Sequence, residues 1–194
     1  TLFRLLVRNL PQSASIIYKF VNENDENAKI AAGYTKWMQS PTTISIRVFM
    51  LIFLHKEALN ILIQDDKGIR LISNYFTSVL ATSKSFEILG AMESLIKRLP
   101  VNQFFIDTLA EVGFFKNLSI IIEKYYDEPQ LIQSCLSFIG FISRIGYSRD
   151  YLLFVDPIVK LIPLKNAATK SAILVIAELS RHRDLALAFA RLNL

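Results

Sequence analysis

The chain has 194 residues, of which 52% are apolar and only 20% charged, with a formal net charge of +5. That length holds one domain with a sizeable core, and the low charge beside the high apolar share excludes a disordered chain. Apolar runs such as Val48–Leu54 and Leu118–Ile122 fall far short of the roughly 20 residues that a membrane-spanning helix needs, so no transmembrane segment is expected.

A single cysteine, Cys135, excludes an internal disulfide and points to a reducing compartment, cytoplasm or nucleus. Thr1–Leu10 carries Arg4 and Arg8 inside its apolar stretch, and no small-residue cleavage site follows, so no secretory signal is read there. The chain starts without Met and ends on Leu-Asn-Leu within an apolar pattern, as a piece of a longer protein would. Residues 130–194 hold eight basic and four acidic side chains, which is +4 of the +5. This basic third attracts acidic partners but falls short of a nucleic-acid footprint.

Taken in chain order, residues 1–40 fit a repeating unit only loosely, and Glu23-Asn24-Asp25-Glu26-Asn27 reads as a polar turn before a helix. Its oxygen ligands lack the glycine and closing glutamate of a calcium loop. Residues 44–54 form a helix. Lys56–Gln64, Ile69–Leu80 and Lys84–Leu99 follow as three more, with Ile69, Ile72, Phe76 and Val79 on one helical face and Ile88, Met92, Leu95 and Leu99 on another. Gln103–Val112, Phe114–Tyr126 and Pro129–Ile145 repeat the order, with Phe115, Leu118, Ile122 and Tyr125, then Ile132, Cys135, Ile139 and Ile142, as their stripes. Asp150–Val155, Pro157–Leu164 and Asn166–His182 repeat it again.

Turn and helix-start signals separate these stripes: Asp65-Asp66-Lys67-Gly68, Ala81-Thr82-Ser83, Pro100-Val101-Asn102, Asp127-Glu128-Pro129, Gly146-Tyr147-Ser148 and Asp156-Pro157. Pro129 and Pro157 suit first-turn positions, and Asn102, Ser148 and Asn166 are expected N-caps. The junctions after each first helix, at Gly68, Gly113 and Asp156, are 45 and 43 residues apart. An all-α chain of three-helix units with that period is a helical-repeat array.

Leu109–Ser143 carries a glycine at the sharp turn between helices one and two (Gly113). An Asp-Glu-Pro turn then opens helix three, which has the small-apolar pattern Cys135, Ile139, Ile142, Ser143. This segment resembles a complete armadillo repeat. Asn166–Ser180 matches the third helix with Ala172, Ile176 and Leu179, and Phe86–Leu99 with Ala91 and Leu95. The resemblance covers about three-quarters of the chain. It implies a right-handed α-solenoid, an α-α superhelix of about four repeats in one domain: 1–55, 56–100, 101–146, 147–183 and the start of another at 184–194. It further implies a concave groove lined by third helices.

In the armadillo proteins that carry nuclear import cargo, those helices present a ladder of Trp and Asn. Here the Trp position holds Glu93, Ser137 and Leu174, the Asn position holds Lys97, Phe141 and Glu178, and the lone Trp37 lies elsewhere. That ladder does not carry over. The resemblance instead implies a non-catalytic scaffold for a partner's peptide or helix. Glu93, Lys97, Arg98, Ser137, Phe141, Arg144, Glu178 and Arg181 are its expected groove residues, with the cations suited to an acidic or phosphorylated segment. The same cations could simply offset helix C-terminal dipoles while Phe141 fills a gap between units.

Two other functions stay open: a regulatory or targeting segment of an enzyme such as a kinase, or a basic surface for acidic lipid or nucleic acid. No catalytic constellation or cofactor motif is found. His55 and His182 fall repeats apart, Cys135 sits on an apolar face, no phosphate-cradling glycine loop occurs, and no serine has a histidine within plausible spacing. No small-molecule substrate is expected. Leu185, Leu187, Phe189 and Leu192 near the end are candidates for exposed dimerising side chains.

Overall fold

The computed structural model describes residues 14–33, 48, 51, 52, 54–64, 66–82, 89, 90, 92, 93, 96, 97 and 103–192. Trp37, Arg98, the N-cap at Asn102 and much of the Lys84–Leu99 helix lie outside them. Among the described residues every regular element is helical and no strand occurs. No helix among them is long and apolar enough to cross a membrane. The chain divides into two compact units, Thr1–Thr82 and Ser83–Leu194.

In the first unit, α1 (Ala14–Glu23) and α2 (Asp25–Gly33) pack together, burying Ile17 and Val21 of α1 and Ala28, Ala31 and Ala32 of α2. The expected polar turn Glu23–Asn27 shrinks to one residue: Glu23 ends α1, Asp25, Glu26 and Asn27 already belong to α2, and Asn24 alone is non-helical. Asn24 caps α2 by accepting the Asn27 N–H at 2.9 Å, and the Asn27 amide donates back to the Phe20 carbonyl at 2.9 Å. α3 (Lys56–Leu62) lies on α2, where Lys29 pairs with Glu57, and His55 Nδ1 is 2.6 Å from Asp25 Oδ1.

α4 (Asp66–Thr82) buries Ile72, Tyr75, Phe76, Val79 and Leu80, with Ile69 half-buried. It begins at Asp66, so Gly68 stands in its first turn and not at a junction after the preceding helix. The glycine is there for space. A Cβ at Gly68 would lie 1.5 Å from the Leu62 carbonyl oxygen, so α3 and α4 meet this closely only because position 68 has no side chain.

The second unit contains α5 (Gln103–Glu111), α6 (Phe114–Lys124) and α7 (Pro129–Ser143). Gly113 takes a left-handed conformation, φ 75°, which turns the chain sharply between α5 and α6. Pro129 opens α7, where its missing N–H has no intrahelical partner to lose. All four stripe residues of α7, Ile132, Cys135, Ile139 and Ile142, are buried.

The next stretch departs from the expected pair of α-helices. Arg149–Phe154 is a 3-10 turn capped by Ser148, whose hydroxyl accepts the Asp150 N–H at 3.2 Å. α8 is short (Val155–Val159), and a second 3-10 turn spans Ile162–Leu164. Pro157 is tolerated in the first turn of α8. Pro163, in contrast, would clash with the Val159 carbonyl in a continued helix, and α8 stops there. α9 (Ala167–Leu179) starts with a capping box, in which Asn166 accepts from Ala168 N at 2.9 Å and Thr169 Oγ1 accepts from Asn166 N at 3.2 Å.

α10 (Arg183–Arg191) closes the unit by packing on α8, α9 and the Arg149–Phe154 turn. Leu185 and Phe189 are therefore buried, while Leu187 and Leu192 remain exposed. The expectation of four exposed apolar side chains at this end is corrected for those two, because α10 turns one stripe inward. The core beneath is aromatic. Phe115 meets Phe114, Tyr151 and Phe154 edge-on, with ring centroids 5.1 to 6.1 Å apart.

Long-range hydrogen bonds in this unit span separations of 34 to 44 residues. Gln103–Tyr147 and Glu93–Ser137 are 44 residues apart, Ser119–Leu153 and Gln133–Ala167 34, and Glu123–Lys160 and Tyr147–Asp184 37. These bonds tie helical segments of the unit to one another.

Candidate functional site

α7 and α9 lie against each other and present adjoining outer faces. On α7 these are Gln133, Ser137, Phe141 and, at its C-cap, Arg144, spaced by four, four and three residues and so on one side of the helix. On α9 they are Ser171, Leu174, Glu178 and, just beyond the helix, Arg181. Glu93 and Lys97, four residues apart, complete the lining. The result is an open concavity of about 470 Å³ bordered by Glu93, Lys97, Ser137, Phe141, Arg144, Leu174 and Glu178, with Gly140 and Val175 in its floor. A neighbouring depression of about 510 Å³ extends it toward Gly90, Gln130 and Ser134.

Six of the eight expected groove residues thus line one concavity. Arg181 joins at its rim through Glu178, and Arg98 lies outside the described residues. Their electrostatics differ from the row of cations read from the sequence. Lys97 Nζ donates to Glu93 Oε1 at 2.8 Å and sits 5.3 Å from the centre of the Phe141 ring. Ser137 donates to Glu93 Oε2 at 3.3 Å. Arg144 Nε and Arg181 Nη1 approach the same oxygen, Glu178 Oε1, at 3.5 and 2.9 Å. Every described cation of the set is paired, because the acids stand one helical turn away or on the adjoining helix.

Sequence reading missed Gln133 and Ser171 as lining residues, and gave Leu174 a ladder position without counting it among the groove residues. The four-residue spacing Gln133, Ser137, Phe141 was the available signal. Leu174 stood at an outward ladder position and is 63% exposed, a large apolar side chain open to solvent.

Elsewhere the chemistry is quiet. Cys135 is fully buried, and desolvation pushes its thiol from 9.0 up to about 12, so it stays protonated and unreactive at neutral pH. His182 lies against Tyr147 with the rings tilted by 38° and their centroids 4.8 Å apart, and it precedes α10 as its N-cap residue. Among the described residues no group of three or more His, Cys, Asp or Glu is placed to hold a metal ion. A separate hollow of about 280 Å³, lined by Ile122, Glu123, Tyr126, Pro157, Lys160 and Leu164, shares no residue with the groove.

No family model, curated protein or solved structure matches the chain.

Proposed function

We propose that the chain is a non-catalytic interaction module, built of armadillo-like repeats in a right-handed superhelix, that holds a segment of a partner protein on the α7–α9 groove. The observation that carries this reading is the groove itself. Outward side chains of successive long helices line one open concavity, with a large apolar residue, Leu174, and an aromatic, Phe141, between charged pairs. Long-range hydrogen bonds at separations of 34 to 44 residues support the repeat organisation. A shallow, rigid and mixed surface of this kind suits an extended peptide or a helix rather than a small substrate. A cytoplasmic or nuclear setting belongs to the same proposal.

The test is affinity capture from a cell lysate with the wild-type chain beside a Phe141→Ala, Arg144→Glu, Arg181→Glu variant whose helicity is verified by circular dichroism. Proteins retained by the wild type and lost with the variant support the groove. Equal retention by both contradicts it.

A further inference from the structure

Two guanidinium groups converge on one carboxylate oxygen at the end of this groove, and their charges do not cancel. Arg144 comes from the C-cap of α7 and Arg181 from the residues after α9, and both meet Glu178 Oε1. The Glu178 side chain is only 12% exposed, whereas those of Arg144 and Arg181 are 64% and 71% exposed. The carboxylate is therefore a half-buried tether that gathers two solvent-facing cations. Each guanidinium carries five N–H donors and uses only part of that set on Glu178.

Charge accounting along the groove is uneven. Among the described lining residues, Lys97 and Glu93 balance one another, while Arg144 and Arg181 share a single acid and leave one positive charge over. An incoming carboxylate would bring this end to neutrality, two guanidiniums against two carboxylates. A phosphate dianion would overshoot it beside the fixed Glu178. Leu174 lies on α9 one turn before Glu178, so an apolar contact and an anion site fall next to each other in the same concavity.

We propose, resting on the groove reading above, that the Arg144–Arg181 pair is the anchor for one unphosphorylated Asp or Glu side chain of the partner segment, next to an apolar side chain seated on Leu174 and Phe141. The paired arginines would fix the register of the segment, since planar guanidinium–carboxylate bonds are directional and an apolar shelf is not.

A random-peptide display library selected on the full chain tests this, followed by affinity measurements with one synthetic peptide of the enriched family. The expected family carries Asp or Glu beside an aliphatic or aromatic residue. Affinity should fall about tenfold when that acid is replaced by its amide, and about tenfold on an Arg144→Ala/Arg181→Ala protein. The two losses should not add, since each removes the same contact.

An enriched family without an acid, an affinity indifferent to the arginine pair, or tighter binding of a phosphoserine version each overturns the proposal. A Leu174→Arg protein, altered at an exposed position, separates this failure from that of the groove. Peptides that need Leu174 but no acid leave the groove standing and remove the anchor. Peptides indifferent to Leu174 and to the arginines, or a selection that enriches nothing, contradict both.

Discussion

The side-chain amide of Gln103 pairs with the backbone of Tyr147 as a second peptide group would: Nε2 donates to the Tyr147 carbonyl at 2.6 Å, and the Tyr147 N–H donates to Oε1 at 3.1 Å. The contact ties the start of α5 to the loop that follows α7, and Gly146 makes room for it. A Cβ at Gly146 would sit 2.9 Å from both Gln103 Oε1 and the buried Ile106 Cγ1.

Gly146→Ala should therefore destabilise the second unit by about 1–3 kcal/mol, the usual cost of overpacking. Gln103→Ala should cost about 1 kcal/mol through its lost hydrogen bonds. Urea denaturation of both single variants and the double variant should show a double loss smaller than the sum, because Gln103→Ala vacates space that the added methyl at position 146 needs.

Gly68→Ala should be more damaging, by about 3 kcal/mol, since the obstacle is the Leu62 backbone carbonyl and not a side chain that can swing aside. Amide hydrogen exchange should place the loss in α3 and α4. Protection in those helices equal to wild type would contradict the close crossing.

Asn166→Ala removes the cap of α9 and should cost about 1 kcal/mol, whereas Asn166→Asp should retain most of the stability, because Asp caps as well as Asn. Thermal melts of the three proteins would report it as an ordering, wild type and Asp above Ala.

Alkaline stability has a defined sign. Burial raises the Cys135 thiol from 9.0 to about 12, and burial also raises the Tyr151 phenol, whose hydroxyl donates to the Gly146 carbonyl at 3.1 Å. A raised folded-state value means the unfolded chain gives up its proton first. The contribution of Cys135 is therefore fully present below pH 9 and is lost progressively as pH climbs toward 12. Cys135→Ala should lower stability at neutral pH by opening a small cavity, yet flatten the decline between those limits. Denaturation midpoints measured across this range test both effects. An equally steep decline in the variant would contradict the assignment to Cys135.

Local chemistry makes much of this fold readable in the amino-acid sequence. Gly113, Pro129, Ser148 and Asn166 perform the turn, first-turn and capping roles their residue types suggest, because those roles depend on one or two neighbouring backbone groups. Position 68 is not readable in this way, because an Asp-Lys-Gly string looks the same whether glycine ends a turn or clears space for another helix. Only the approach of Leu62 distinguishes them. Within Arg149–Leu164 the periodicity is too short to separate α from 3-10 geometry, and Pro163 decides the outcome.

The groove is legible as a list of positions but not as an electrostatic surface. Spacing along α7 and α9 puts Ser137, Phe141, Arg144 and Glu178 on outward faces. That Arg144 reaches Glu178, 34 residues on, is a property of how two helices lie together. The burial of Leu185 and Phe189 has the same origin, since an amphipathic helix does not announce which neighbour will cover it.

Occupation of the α7–α9 groove by a partner protein, as proposed, is tested by a photo-crosslinking amino acid placed at Leu174 in the groove and, separately, at Leu164 in the hollow that shares none of its residues. Irradiation in lysate is predicted to give a protein adduct at position 174 that disappears when Phe141→Ala and Arg144→Glu are added, with no such adduct at 164. Adducts at 164 alone, or at 174 unaffected by those two changes, would contradict the account.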